Sequence, residues 1–302
     1  MPVVGYLNEI PTFTSAPPDL ARFRRGMQDL GYVEGQNVRL EVRQGSLDDA
    51  PRLAAELVAL GAAVIFVYPP QVVDLVAAGK MGTTPLVFAL LDESQVGSGP
   101  IASLARPGGS VTGLMSRTRR EWAKRLETLV EAVPAARRVA FLTDDRSDAG
   151  FHWEESQRAA RTLGVRLDFA EVPRPGDFAA GFAAIAEGQF DAVLVPARPG
   201  FRQVGTTGAT IVALAAQHRL PAMYAISEMV KDGGLIAWNA NLDDLYGRAA
   251  VYVDKILKGA KPADLPIEAP TRIDIAINLT TAQALGLTFP PSILVQATEV
   301  IR

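Results

Sequence analysis

The chain has 302 residues, 48% of them hydrophobic and 21% charged, with a net charge of −3. That composition supplies large cores and excludes global disorder, and the faintly acidic balance sets up no field to draw in nucleic acid. With no cysteine, disulfides, thiol nucleophiles and thiolate metal sites are excluded together.

The first apolar run, "VVGYLN" at 3–8, is bounded by turn residues and predicts a strand. Pro17 and Pro18 then open a helix ending near Gly31, with Leu20, Phe23, Met27 and Leu30 on its apolar face and the basic "RFRR" on its solvated one. Residues 38–44 alternate as an outer strand, and 51–60 place Leu53, Leu57 and Leu60 on one helical face. The continuous runs at 63–68 and 85–91 predict parallel strands buried on both faces. "SLARPGGSVTG" (103–113) follows, reading as a short helix built on Ile101, Leu104 and Ala105. Pro107, Gly108 and Gly109 stop that helix, and a new strand starts at Val111.

The same grammar then restarts. A strand at 137–145 and a helix at 150–163 lead into 160–199, which repeats the order of 27–70: helix, Leu-Gly, strand, Asp-containing turn, helix, core strand, Pro. The match continues from 83–94 to 218–229. Two copies of one βαβ build predict an α/β fold of two doubly wound Rossmann-like lobes. The strands at 111–116 and 233–240 are the expected crossings between lobes, with 243–259 and 271–279 shared out after further crossings. Such a multi-strand hinge permits lobe closure. The expected domains are 1–114 with 238–268, and 115–237 with 269–302.

Motifs for chemistry are sparse. His152 and His218 are the only histidines and lack H-E-x-x-H spacing, so no histidine metal site is expected, and His218 reads as a helix-end residue. There is neither a G-x-S-x-G elbow nor a phosphate-binding G-x-x-x-x-G-K-[ST] loop. Gly97-Ser98-Gly99-Pro100-Ile101-Ala102 fits G-x-G-x-x-A but does not follow the first strand, so no dinucleotide and no other cofactor is expected.

Carboxylates gather at predicted strand ends: Glu9, Asp92, Glu93, Asp144, Asp145 and Glu228. Facing pairs of them suit acid–base work, and capping helices suits them as well. Ligands of open α/β sheets lie beyond the carboxyl ends of the strands. The candidate ligand-binding residues are therefore Asn8, Glu9, Tyr68, Asp92, Glu93 and Ser116, then Asp144, Arg198, Ser227, Glu228, Trp238 and Asn241, with Asn239 beside them. An arginine takes a carboxylate bidentately, acids take an ammonium, and rings stack or face a cation. The set suits a small zwitterion with an apolar or aromatic body, although Tyr68 and Trp238 fit a core equally well.

Four ordered segments carry a resemblance: "FRRGMQDLGYVEGQNVRLEVR", "SLARPGGSVTGL", "AAVYVDKILKGAKPADLPIEAPT" and "INLTTAQALGLTFPPSIL". Together they resemble the ABC-transporter substrate-binding proteins that include tryptophan- and tyrosine-binding members. The resemblance implies a type I periplasmic-binding-protein fold and a non-enzymatic, monomeric receptor, periplasmic or anchored outside the cytoplasm. It also implies a small-molecule ligand held in an interlobe cleft and a membrane ABC permease as partner. Because "MPVVGYL" enters a strand at once, the residues fit either a cytoplasmic protein or one trimmed to its mature start, and the resemblance implies the trimmed start, the usual N-terminal signal having been removed. The family's aspartate in a "TDPV"-like stretch corresponds to Asp92 of "LLDESQV", without the proline. Where relatives carry "NP…N" this chain has "TDDRSDAGF", and Arg198 stands where short polar residues are common. These departures point to an aromatic acid or a modified amino acid as well as to an aromatic amino acid. A ligand-sensing domain of a signalling system, and a carboxylate-using α/β enzyme, stay open as alternatives.

Overall fold

The computed structural model describes residues 1–9, 18–46, 48–68, 73, 79, 81–97, 99–117, 119–144, 150–172, 177–196 and 207–302. The chain divides into two compact units, Met1–Thr118 with Ala240–Arg272, and Arg119–Asn239 with Ile273–Arg302. In chain order the described elements begin β1 (Val3–Glu9), α1 (Pro18–Asp29), β2 (Arg39–Gly45), α2 (Ala50–Ala59), β3 (Ala62–Tyr68), β4 (Leu86–Asp92) and β5 (Val111–Arg117). The second stretch runs α3 (Arg119–Ala132), β6 (Arg138–Thr143), α4 (Gly150–Leu163), β7 (Arg166–Glu171), α5 (Phe178–Glu187) and β8 (Ala192–Val195). It continues α6 (Thr207–Gln217), β9 (Ala222–Tyr224), α7 (Glu228–Lys231) and β10 (Ile236–Ala240). The chain ends with α8 (Leu242–Leu257), β11 (Ile273–Asn278), α9 (Leu279–Ala284), α10 (Pro291–Gln296) and β12 (Glu299–Ile301).

The first unit is a five-stranded sheet in the order β2-β1-β3-β4-β5. Parallel ladders join each neighbouring pair. β3 and β4 lie inside it, which is why their apolar runs are unbroken; every residue of β4 is buried. β2 is an edge, and its alternating sequence is guarded by ion pairs from Glu41 to Arg39 and Arg43. Leu20, Phe23 and Met27 of α1 join Leu245, Tyr246, Ala249 and Val253 of α8 over one sheet face. Gly26 allows the two helices to meet, since a Cβ there would stand 3.0 Å from both Ala250 Cβ and Gly247 Cα. The opposite face packs against Leu53 and Leu57 of α2. Leu30 and Leu60 fall just beyond their helices and stay exposed.

The helix expected around 101–105 is absent: the Ser103 hydroxyl closes a turn by accepting from Arg106 N and donating to Arg106 O. β5 is not a crossing. It pairs with β4 from Leu86↔Val111 to Asp92↔Arg117. Its other side takes a bridge from Leu114 to Glu268. Gly113 lets β5 approach closely, because a Cβ there would lie 2.1 Å from Phe88 O.

The second unit holds a seven-stranded sheet in the order β12-β11-β10-β9-β8-β6-β7. Trp122, Leu126 and Leu129 of α3, with Ala159 and Ala160 of α4, cover one face, joined by Phe289 and Ile293. Phe178, Phe182 and Ile185 of α5, Ile211 and Val212 of α6, and Met229 of α7 cover the other. β10, expected as a crossing, lies inside this sheet between β9 and β11, and the 271–279 segment supplies β11 beside it. β5 stays in its ladder through Arg117, and the chain passes between units after 118, 239 and 272, where 114, 237 and 268 were expected. No helix among the described residues is long and apolar enough to cross a membrane.

Candidate functional site

At the carboxyl end of the first sheet, Asn8 closes β1 with 4% of its surface exposed. Its Oδ1 is buried without a hydrogen-bond partner among the described residues. Gln44 of β2 is its register partner, and Gln44 Nε2 is likewise buried and unpartnered. An unmet buried polar atom costs about 1–3 kcal/mol. Gln44 was not expected from the sequence, because a glutamine on an alternating edge strand reads as solvent-facing.

Two strands from Asn8, β4 ends in Asp92, whose side chain is buried and whose backbone N–H donates to Gln95 Oε1 at 3.4 Å. The β4–β5 register shifts between Phe88 and Leu91 and again at Asp92. Leu90 sits there at φ 67°, a left-handed conformation for a buried leucine. Such backbone costs about 1–3 kcal/mol and bulges re-aim the side chains that follow. Glu93 then opens a single 3-10 turn, Glu93–Gln95. Ser116 is buried near the end of β5. The side chains of Glu9 and Tyr68 lie outside the described residues, although their backbones close β1 and β3. Asn241, also in this unit, caps α8: its Oδ1 accepts from Asp244 N at 2.7 Å.

The carboxyl end of the second sheet is internally wired. Ser227 Oγ donates to Asn239 Oδ1 at 2.6 Å, tying the start of α7 to the end of β10. The half-buried Trp238 packs on the core beneath α3 and α4, and its carbonyl accepts from Arg125 Nε at 2.8 Å. Arg125 pairs with Glu121 at 3.1 Å, the two side chains 3% and 2% exposed. The Arg125 guanidinium lies over the Trp122 ring at 4.7 Å, and that ring stacks on His152 at 4.5 Å. The Glu-to-Arg spacing in "REWAKR" is a signal present in the sequence, but the same spacing decorates many solvated helices. Asp144 is exposed just past β6, and Glu228 is in the first turn of α7. Burial pushes the Tyr224 phenol at the tip of β9 upward, keeping it neutral. His218 follows α6, where its backbone N–H donates to Leu214 O. Asp145 and Arg198 fall outside the described residues.

The structure thus brings Asn8, Asp92, Glu93 and Ser116 to one rim, and Ser227, Trp238 and Asn239 to another. The described groups supply hydrogen bonds, charge and an aromatic face, which is the equipment of a binding site. No group of three or more metal-ligating side chains occurs among the described residues.

The sequence pattern of the ABC transporter substrate binding protein family matches residues 20–301. No curated protein matches the chain. Among solved structures, an ABC domain in complex with L-Trp from Streptococcus pneumonia is similar with TM-score 0.82, at 24% identity over 99% of both chains. A conserved domain protein from Vibrio cholerae has TM-score 0.82 at 23% identity, again over 99% of both chains. A ligand-free, open substrate binding protein with adhesive properties from Clostridium difficile has TM-score 0.77 at 18% identity, over 100% of this chain and 99% of that one. The shared architecture is the two-sheet α/β fold of type I periplasmic binding proteins.

Proposed function

The chain belongs to the ABC transporter substrate binding protein family, and from that premise we propose that it is the receptor of an importer for an aromatic amino acid or an aromatic acid. The family is one of extracytoplasmic solute-binding proteins rather than enzymes, with a small-molecule ligand and a membrane permease as partners. The observation that carries the finer reading is the first rim: Asn8, Asp92 and Ser116 are polar groups buried at strand ends of one sheet, with the strained Leu90 two residues before Asp92. Backbone strain of this kind concentrates at ligand sites. The L-Trp complex of a relative supports the ligand class.

In this reading Asp92 takes the ligand ammonium, and Arg198 of the second unit takes a carboxylate bidentately. Tyr68 and Trp238 offer ring faces, while Glu9, Glu93, Asp144, Ser227, Glu228 and Asn241 set the polar surroundings. The receptor works as a monomer in the periplasm, or anchored outside the cytoplasm.

A thermal-shift screen of amino acids and aromatic acids tests this. A ligand that binds only the folded state adds about 2.7 kcal/mol at a hundredfold excess over Kd, so one compound raises the melting midpoint clearly. Asp92→Asn and Arg198→Ala each weaken its binding by about 2–5 kcal/mol with little change in the unliganded midpoint. Chemical conversion of the compound by the purified protein overturns the receptor reading.

A further inference from the structure

Asn8 is buried and Gln44 half-buried, and each holds one enclosed amide atom that no described residue bonds. Oδ1 of one and Nε2 of the other are both enclosed, adjacent in register, and bonded neither to each other nor to any described residue. Turning either amide over exchanges which atom is orphaned without removing the problem, since each carries both a donor and an acceptor. A fold that keeps such a pair tolerates a standing penalty that a partner molecule relieves.

We propose that Asn8 and Gln44 form a polar subsite that reads a hydroxyl group at the ring end of the ligand. This rests on the receptor reading above and names the feature of the ligand that is selected. Oδ1 requires a donor and Nε2 requires an acceptor, and a phenolic hydroxyl is a single group that satisfies both. Position agrees with chemistry. β3 separates β1 from β4, so Asn8 and Asp92 stand about two strand spacings apart, ~10 Å. Both therefore lie on the carboxyl rim of one sheet, on either side of β3. An unsubstituted phenyl end would leave both amides unmet. Sites built to hydrogen-bond a substrate hydroxyl reject the analogue lacking it strongly.

The test uses matched probes by calorimetry on the whole chain: L-tyrosine against L-phenylalanine and O-methyl-L-tyrosine, and 4-hydroxyphenylacetate against phenylacetate. Within at least one class the parent is expected to prefer the free hydroxyl a hundredfold or more. Asn8→Leu and Gln44→Met, both close in volume to the residues they replace, should bring that ratio to within about threefold. Neither variant should melt below the parent without ligand, since each removes an unmet polar atom. A parent that binds the compounds without favouring the hydroxyl overturns the subsite and leaves the receptor reading standing. A parent that binds none of them overturns the ligand class and the subsite together. Variants that melt well below the parent, or keep its preference, identify the amides as structural and overturn the inference.

Discussion

The two sheets end in rims of different character. On the first, Asn8 Oδ1 and Gln44 Nε2 are buried without a partner among the described residues. On the second, Ser227 holds Asn239, and Arg125 joins Glu121 to the Trp238 carbonyl. Repeated βαβ construction therefore does not produce equivalent ends. One rim carries unmet hydrogen-bonding capacity, which in the proposed receptor an incoming molecule converts into affinity. The other braces Trp238 through Arg125, although the Trp122 indole under the Arg125 guanidinium keeps a buried Nε1 with no partner among the described residues.

The largest test of that contrast lies in the second rim. Arg125→Met leaves the Glu121 carboxylate buried beside an apolar chain and strips the Trp238 carbonyl of its donor. Urea unfolding should show a loss of about 3–5 kcal/mol, and the double variant Glu121→Leu/Arg125→Met should recover most of it. A loss below about 1 kcal/mol would mean that the pair is solvated and the second rim is no better braced than a surface helix. Next in size is Gly113→Ala, which forces a methyl against Phe88 O and displaces β5 from β4 just below Asp92. Thermal melts should show a loss of about 1–3 kcal/mol, with ligand affinity falling alongside.

The smallest effects separate the units by pH. Arg138 and Arg166 approach Asp168 at 2.9 and 2.8 Å. Partial burial opposes ionisation of this carboxyl, but the two arginine hydrogen bonds outweigh it and hold the group below its ordinary range. The stability it confers is present above about pH 4, the unfolded value, and is lost as pH falls through the lower folded value. With solvent screening it is on the order of 1 kcal/mol, and Asp168→Asn should flatten the acid limb of a melting-versus-pH curve. In the first unit burial, then the hydrogen bond to Asp254 at 2.9 Å, pushes the Tyr32 phenol up to about 12. That contribution is intact below about pH 10 and is lost as pH rises through about 12. Tyr32→Phe should therefore flatten the alkaline limb, by no more than about 1 kcal/mol. Acid sensitivity tracking Tyr32, or alkaline sensitivity tracking Asp168, would contradict this division.

Element identity was legible wherever burial on two faces forces an unbroken apolar run. "AVIFVY" and "PLVFALL" became β3 and β4, and the helix read at 150–163 spans Gly150–Leu163. Sheet membership was less legible. "VTGLMS" and "LIAWNA" look alike whether they leave a sheet or stay in it, because an apolar strand does not encode its neighbour; β5 and β10 stay. Ile101 and Leu104 suggested a helix, yet the burial of Ile101 is met by a turn that Ser103 closes. In the candidate site, the strand-end rule brought Asn8, Asp92 and Ser116 into view, since it needs only the end of an apolar run. It missed Gln44, whose burial depends on what surrounds an edge strand, and the Glu121–Arg125 pair, whose spacing is common on exposed helices. It also gave Asn241 the same weight as Asn8, although the oxygen of Asn241 caps α8.

The helix that covers α1 comes late in the gene order of events. Tyr32 and its partner Asp254 are 222 residues apart, and the whole first pass through the second unit lies between them. At about 5–20 residues per second of synthesis, some 10–40 s separate the emergence of the two. Throughout that interval Leu20, Phe23 and Met27, which are buried against α8 in the finished protein, belong to a nascent chain whose covering helix has not yet been made. The first sheet is begun first and closed only after residue 257, so no early fragment contains a complete unit, and the growing polypeptide presents an apolar helix face to whatever escorts it.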